Sequence, residues 1–272
     1  MFEKLQHKKG SASLYLLLLA AAVGIMLMLK ECSAETLPPR NEAVASGDTL
    51  NVAIEISPVG VTMDADTLSG TYYNIVRQIC SQHNRPVRFH PFTQLETALE
   101  GLDKGKYQLV VSDIPATAHM KSHYIFINPI GLDRQVLVQR RDSSGHTPIS
   151  SQFDLAKQKI TLPKGSPFIT RLHNLAREIG DTIYIHQDSS YSSEQLIILT
   201  AIGEADNVVV NAGTAAPLLK QYPNLDASLE ISFNQFQGWA LAPRDSMLRD
   251  TLNAWLSEIH HNLNTPTSAK RP

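Results

Sequence analysis

The side chains able to do chemistry do not form a known catalytic motif. His119 and His123 are four residues apart, the spacing of a helical metal pair, and Asp113 is near enough along the chain to be a third ligand. No further spaced His or Cys accompanies them, so we interpret both histidines as surface residues and predict no metal site. The Gly-x-Ser-x-Gly motif of a nucleophilic serine is also missing from the sequence. We therefore predict no catalytic residue and no cofactor.

Two places have the residue types of a ligand site. Lys164, Gly165 and Ser166 precede a predicted helix over residues 167–179, in which Ser166 is the N-cap and Pro167 the first helical residue. The unpaired N–H groups at such a helix start can bind an anion. Glu55 lies at the end of a predicted strand, where open α/β sheets bind ligands. The alternatives are structural: Ser166 as a cap only, and Glu55 as a solvated loop charge.

These residues are positioned by an alternation of strands and helices. The pattern predicts a largely parallel sheet with helices on both faces, then a second unit of the same kind, and therefore two hinged lobes that grip a small molecule. The predicted strands are residues 50–56, 86–89, 107–112, 136–138, 159–162, 183–185, 207–210 and 238–242, and the predicted helices are residues 70–84, 95–102, 167–179, 193–202, 212–221 and 246–260.

The N-terminal part of the sequence predicts export. Residues 11–29 carry no charge and would span about 28 Å as a helix, which is close to the thickness of a bilayer core. The lysines before this run favour a cytoplasmic N-terminus. Residues 1–34 are therefore a signal anchor or a cleaved signal peptide, and residues 35–47 are a linker. We expect a periplasmic domain that is anchored to the inner membrane, or released if the signal is cleaved.

The charge of the exported part excludes nucleic acid as a partner. The whole chain has 24 Lys and Arg against 26 Asp and Glu, and residues 1–31 hold four of the lysines but only two of the glutamates. The exported part is therefore acidic and offers no basic surface to a phosphate backbone. Cys80 falls on the apolar face of its predicted helix, so we expect it to be buried without a disulfide.

The order of segments resembles the bacterial extracellular solute-binding proteins, family 3, the polar amino-acid type. That resemblance implies a two-lobed, hinged α/β fold of the periplasmic-binding-protein (type II) kind, which also forms the N-terminal half of membrane-bound lytic murein transglycosylases. Lobe 1 would comprise residues 48–133 and 238–262, lobe 2 residues 134–237, and residues 263–272 a tail. The segments that carry the resemblance are LNVAIEI, GTYYNIVRQIC, TALEGLDKGKYQLVVSDIPAT, FINPI, FDLAKQKITLPKGS and GEADNVVVNAG.

The resemblance also identifies positions that would bind the ligand. Phe92 matches an aromatic residue that stacks on the ligand, with a core position as the alternative, while Ser112 and Thr117 offer hydroxyl groups. Asn211 matches an Asp that pairs with an α-ammonium group. The complete set of candidate ligand-binding residues is Glu55, Phe92, Ser112, Asp113, Thr117, Lys164, Gly165, Ser166 and Asn211.

Several departures from the family pattern argue against a free α-amino acid as ligand. Met120 stands where the family has the Arg that clamps an α-carboxylate, and a thioether cannot replace a guanidinium group. Pro115 removes a backbone donor, and Asn211 supplies no charge. Pro58 stands in place of an aromatic residue in the first loop.

We therefore predict a solute-binding protein that takes a small polar ligand, other than a free α-amino acid, for ABC-type uptake, with an ABC permease or an envelope protein as partner. A non-enzymatic sensor or cell-wall module, which binds muropeptides or a protein, is the alternative. A dehydratase on the same fold, with Glu55 or Asp113 as general acid if burial raises its pKa, is a further one. We expect no transglycosylase domain, because the sequence ends at Pro272 soon after the last predicted helix.

Overall fold

A computed structural model describes Leu19 and residues 49–64 and 67–264, with side chains except those of residues 63–64 and 259–264. Asp48–Pro272 forms one compact unit. Apart from Leu19, the predicted signal segment (1–34) and linker (35–47) lie outside the described residues. Among the residues described, no helix combines the length and the apolar character needed to cross a bilayer.

The described residues form two large sheets surrounded by helices, and a separate two-stranded sheet. The strands are β1 (Leu50–Glu55), β2 (Thr62–Asp64), β3 (Thr67–Ser69), β4 (Val87–Phe92), β5 (Leu109–Pro115), β6 (Ile125–Phe126), β7 (Gly131–Asp133), β8 (Gln135–Arg140), β9 (Lys159–Pro163), β10 (Tyr184–Asp188), β11 (Asn207–Asn211), β12 (Leu225–Asp226) and β13 (Gln235–Leu241). The helices are α1 (Thr71–Gln82), α2 (Leu95–Asp103), α3 (Ala118–Lys121), α4 (Ile169–Ile179), α5 (Ser193–Ile202), α6 (Ala212–Gln221) and α7 (Ser246–Asn264).

Each of the two large sheets belongs to one lobe, and β2 and β3 pair only with each other. The first has the order β4-β1-β5-β13-β6, with β7 paired to β13, and the second has the order β10-β9-β11-β8-β12. The chain passes from the first sheet to the second between β7 and β8, and returns between β12 and β13. An ion pair between Arg134 Nε and Glu230 Oε1, 2.9 Å apart, links the two crossing segments. This is the two-lobed arrangement with a double connection that a hinged binding protein needs.

The prediction of largely parallel sheets is wrong for the strands that follow the crossings. Strand β1 is parallel to β4 and β5, and β9 is parallel to β10 and β11. However, β13 is antiparallel to β5, β6 and β7, and β8 is antiparallel to β11 and β12. Strands β8 and β13 each arrive from the other lobe rather than through a crossover helix, which is the connection that parallel neighbours require. Each sheet is therefore mixed.

Local sequence signals explain where several helices begin and end. Ser192 and Gln195 form a reciprocal capping box at the start of α5. Gly180 and Gly203 end α4 and α5 with the left-handed conformations that glycine adopts without strain. Cys80 is buried on the inner face of α1, as predicted, and burial raises the pKa of its thiol to about 11.

Apolar side chains fill the space on both faces of each sheet. The first sheet packs α1 and α7 on one side, with Trp239 at the centre, and α2 on the other. The second sheet packs α4 on one side and α5 and α6 on the other. Because both faces are covered, the central strands β1, β5 and β11 are almost continuously apolar. Four of the polar residues that interrupt this pattern line the site described next: Glu55 at the end of β1, Ser112 and Asp113 within β5, and Asn211 at the end of β11.

Candidate functional site

A small cavity of about 60 Å³ lies where the two sheets face each other. First-sheet residues at or near the ends of β1, β4 and β5 form one wall, and second-sheet residues after β9, at the end of β11 and at the starts of α5 and α6 form the other. The cavity is lined by Glu55, Ser57, Val59, Thr93, Leu95, Ser112, Asp113, Pro163, Lys164, Ser166, Pro167, Phe168, Ser193, Asn211 and Thr214. Six of the nine sequence-predicted ligand residues are in this lining.

Glu55 ends β1 and turns its carboxyl group into the cavity wall. The hydroxyl of Ser112 donates a hydrogen bond to Glu55 Oε2 at 2.6 Å. Burial raises the pKa of the Glu55 carboxyl to about 7, and the charges of Glu194 and Asp113 act in the same direction, whereas the bond from Ser112 opposes them. Glu55 can therefore exchange a proton near neutral pH.

Asp113 lies on β5 beside Glu55. The phenol of Tyr72, on α1, donates a short hydrogen bond to Asp113 Oδ1. Burial raises the pKa of the Asp113 carboxyl, the bond from Tyr72 lowers it, and the charge of Asp133 raises it. Burial, the same bond and the neighbouring carboxylates raise the pKa of Tyr72, so the phenol keeps its proton and stays the donor.

Asn211 reaches the cavity from the opposite sheet, at the end of β11. Its Nδ2 donates to the backbone oxygen of Asp113 at 3.1 Å, which is a contact between the two lobes. A carbonyl oxygen only accepts, so the side-chain atom that faces it must be the amide nitrogen. The remaining atom, Oδ1, is buried without a hydrogen-bond partner, and the residue as a whole is 6% exposed.

The segment before α4 differs from its prediction. Helix α4 begins at Ile169 rather than at 167, and Phe168 occupies the N-cap. Ser166 instead closes a tight turn, in which its hydroxyl accepts from the Phe168 N–H at 3.3 Å and its carbonyl from the Ile169 N–H at 3.3 Å. The backbone N–H of Gly165 donates to Gln187 Oε1 at 3.2 Å. These N–H groups, which the sequence suggested for an anion, therefore have partners within the protein.

Lys164 and Gly165 bring the second lobe against the first. Lys164 Nζ lies 3.0 Å from Glu96 Oε2, at the start of α2. Gly165 has φ +68°, and a Cβ there would lie 2.6 Å from the Cβ of Glu96. A side chain at position 165 would meet both a strained backbone and a steric clash. Gly165 therefore allows the two lobes to approach closely at this point, and it does not line the cavity.

Phe92 and Thr117 lie outside the cavity lining. Phe92 packs against the core between the first sheet and α2, which is the alternative left open for it. Thr117 caps α3 by accepting a hydrogen bond from the Met120 N–H at 3.2 Å. Met120 is buried in the same core as Phe92, so no cation replaces the family's clamp at this position.

The histidine pair has a local role in the described structure. His119 and His123 are exposed, with ring centres 5.1 Å apart, and His123 Nδ1 is 3.0 Å from the His119 carbonyl oxygen. Within the described part of the chain, no group of three or more His, Cys, Asp and Glu residues could hold a metal ion.

Sequence reasoning missed Tyr72 and Glu194. Tyr72 lies in a helix that was predicted only from its apolar spacing, and its partner Asp113 is 41 residues away. Glu194 is in the first turn of α5, and burial raises the pKa of its carboxyl. Its position after a serine N-cap was visible in the sequence, but its closeness to Glu55 depends on how the two sheets face each other.

Larger depressions elsewhere do not gather buried polar groups in the same way. Grooves of about 180 and 420 Å³ lie on the outer side of the second sheet, around Lys159 and Asp206. A third, of about 370 Å³, runs along β6 beside Phe236. Their charged residues are mainly solvent-exposed, so the cavity between the sheets is the better candidate for a specific site.

Comparison with known proteins gives a consistent result. The model of the bacterial extracellular solute-binding proteins, family 3, matches residues 50–265. A curated relative is the membrane-bound lytic murein transglycosylase F of Shewanella oneidensis, with 23% identity over 239 residues, which are 87% of this chain and 49% of that protein. The chain thus spans about half the length of the curated relatives it matches.

Solved structures with the same fold are binding proteins. The holo form of ArgBP from T. maritima has 20% identity and a TM-score of 0.67, covering 80% of this chain and 92% of that one. A structure from work on glutathione import via GshT and the cystine ABC importer TcyBC of Streptococcus mutans has 19% identity and a TM-score of 0.68, covering 79% and 90%. At these identities the likeness concerns the fold alone.

Proposed function

The chain belongs to the bacterial extracellular solute-binding proteins, family 3, and from this membership we propose that it binds a small polar solute between its lobes for ABC-type uptake. The observation that carries the proposal is the cavity between the two sheets, with polar residues converging on it from both lobes. Such a site suits binding by closure, since the ligand contacts both lobes only when they approach. The lobes as predicted are residues 48–133 with 238–262, and residues 134–237; because β13 begins at Gln235 in the first sheet, residues 235–237 belong with the first of these lobes.

Contacts across the cleft support closure as the binding step. Gln94 Nε2 donates to the backbone oxygen of Tyr191 at 3.0 Å, and Lys164 pairs with Glu96. Both contacts involve side chains at the cleft rim that water can reach, so each is weak and easily replaced by water. A few contacts of this size allow the lobes to separate and admit a solute.

The electrostatics of the cavity argue against a free α-amino acid. Among the described residues, the lining contains no Arg, and Lys164 is its only cationic side chain. Lys164 already pairs with Glu96, whereas Glu55 and Asp113 would face an incoming carboxylate. A carboxylate would therefore lose its hydration and gain no clamp in return.

A thermal-shift screen of the purified chain tests this proposal. Amino acids, amines, small organic anions, sugars, dipeptides and muropeptides are compared, because a ligand that binds only the folded state raises Tm by mass action. We expect a shift from at least one small polar solute and none from glutamine, glutamate, arginine or histidine. A shift with any of these four would contradict the argument from Met120 and the cavity charges.

We also propose that the domain is periplasmic and held at the inner membrane by residues 11–29. The uncharged run, the lysines before it and the membrane-bound relatives support this location. Fractionation of cells that express the full chain, with and without residues 1–34, would locate the protein. Recovery of the full chain in the soluble periplasmic fraction would indicate a cleaved signal instead of an anchor.

A cell-wall binding module is a second candidate, because the transglycosylase relatives align with this chain over about half of their length. Such a module would bind muropeptides or a protein partner without acting on them. The same screen separates the two functions: a Tm shift with muropeptides, and none with simple solutes, favours the cell-wall module.

A dehydratase is a third candidate, since Glu55 has the near-neutral pKa that a general acid needs. Mass spectrometry of each solute that shifts Tm, after incubation with the protein, would detect loss of water. An unchanged solute mass supports binding without reaction.

A further inference from the structure

The cavity between the lobes has an unusual balance of donors and acceptors at its inner end. Ser112 has committed its hydroxyl proton to Glu55, and Tyr72 has committed its own to Asp113. Asn211 has used its amide nitrogen on the backbone oxygen of Asp113. Each of these three donors therefore points at a protein acceptor, and the oxygen atoms left over are acceptors when the two carboxyl groups are ionised.

Three such oxygen atoms belong to residues that line the cavity: Glu55 Oε1, Asp113 Oδ2 and Asn211 Oδ1. Within the described part of the chain, none of these atoms has a hydrogen bond to the protein. Asn211 Oδ1 carries the most weight, because the residue is only 6% exposed and lines the cavity. A donor from the ligand would give this buried carbonyl oxygen the partner that it lacks within the protein.

We propose that the cleft binds an amine cation that carries no carboxylate, with its ammonium group held by Glu55, Asp113 and Asn211. This inference rests on the proposed function and specifies its ligand class. An ammonium group offers three donors and a positive charge, and so matches two carboxyl groups and an amide oxygen. Among the residues that line the cavity, Lys164 is the only cation, and it is already paired with Glu96 of the first lobe.

The remaining lining describes the rest of the ligand. Thr93, Ser166, Ser193 and Thr214 provide hydroxyl groups that can donate or accept, and Val59, Leu95 and Phe168 provide apolar contact. A cavity of about 60 Å³ holds only a few atoms, since a single water needs roughly 10–15 Å³ by this measure. A compact amine with a short polar or apolar stem fits this description.

Matched pairs of amines and their parent amino acids test the proposal. The probes are ethanolamine and serine, putrescine and ornithine, histamine and histidine, and agmatine and arginine, measured by thermal shift and then by calorimetry on the full purified chain. Within a pair the amine lacks only the α-carboxylate. We expect at least one amine to bind about 100-fold or more tightly than its parent.

Asp113→Asn is the decisive variant, since an amide can still accept the bond from Tyr72 but carries no charge. We expect it to weaken the binding amine about tenfold or more while its ligand-free Tm stays close to that of the unaltered chain. Asp250→Asn makes the same chemical change at an exposed position on α7 and should leave the affinity unchanged.

The possible outcomes distinguish a failure of this inference from a failure of the proposed function. Equal or tighter binding of a parent amino acid, or an Asp113→Asn variant with full amine affinity, would overturn the inference. If every amine fails while succinate, glucose or a dipeptide binds, the ligand class is wrong and solute binding stands. If no solute of any class binds, both the inference and the proposed function are contradicted.

Discussion

Glu55 is expected to reduce the stability of the folded protein at neutral and alkaline pH, and its replacement by Gln should therefore be stabilising there. Burial and the negative charges of Glu194 and Asp113 act on the Glu55 carboxyl, whose pKa is raised from 4.5 to about 7. The amide introduced by Glu55→Gln would keep an oxygen that accepts the Ser112 bond but would never ionise. The substitution removes the cost of a buried charge and retains the hydrogen bond.

The sign follows from proton linkage. Because the folded-state pKa is raised, the folded protein binds the Glu55 proton more tightly than the unfolded chain does, and stability falls as pH rises from about 4.5 to about 7. With these two pKa values the loss is about 0.8 kcal/mol at pH 5 and about 3.3 kcal/mol at pH 8. Glu55 is only partly buried, so solvent screens its charge and reduces the cost, and we expect the variant to gain about 1–2 kcal/mol between pH 5 and pH 8.

Urea unfolding of ligand-free protein at pH 5, 6, 7 and 8 measures this gain, through the difference in free energy of unfolding between Glu55→Gln and the unaltered chain. Glu100→Gln is the matched control, since Glu100 is an exposed residue of α2 paired with Lys104. The expected result is a difference that grows with pH for position 55 and stays constant for position 100. A constant difference at position 55, or one that shrinks as pH rises, would refute the assigned environment of Glu55.

Further predictions concern residues of the fold that do not line the cavity. Gly165→Ala should lower the free energy of unfolding by about 1–3 kcal/mol in urea titrations. The loss should exceed that of Gly145→Ala, because both glycines have positive φ but only at Gly165 would the added Cβ clash with another side chain. Ser192→Ala should cost about 1 kcal/mol by the same assay, since it removes the capping box of α5, and Ser192→Thr should retain most of that stability. Cys80 should resist iodoacetamide at pH 8 in folded protein and react in urea, as peptide mapping by mass spectrometry would detect; labelling of the folded chain would contradict its burial.

The elements with local signals could be predicted from sequence. The bounds of α5 and α6 agree with the predicted residues 193–202 and 212–221, because caps and a terminal glycine define α5 and a strand end precedes α6 directly. The β2–β3 hairpin and the short strands β6, β7 and β12 were missed, since two or three residues give no period to detect. The antiparallel placement of β8 and β13 depends on the crossings between sheets, which no local pattern reveals.

The site shows the same division between local and long-range information. Glu55 was predicted as a strand-end residue, and Ser112 and Asp113 were among the candidate ligand-binding residues; all three line the cavity. Their roles were not predictable, because they depend on a phenol 41 residues from Asp113 and an amide 98 residues from it. Phe92 shows the converse, because an aromatic residue at a position matched to a ligand-stacking one packs against the core and lies outside the cavity lining.

The fold and its ligand preference are therefore separable in this chain. The two sheets, their double connection and the close approach at Gly165 depend on shape and packing, and the fold as a whole is similar to that of holo ArgBP at only 20% identity. We propose that ligand preference depends on a few residues at the cleft, where one exchanged side chain alters the charge offered to the ligand. Met120, at the position that matches the family's Arg, lies in the core, while Asp113 lines the cavity together with Glu55. The lining therefore carries two carboxyl groups and one Lys that already pairs with Glu96, and on this ground we propose that the ligand class should be sought among cations.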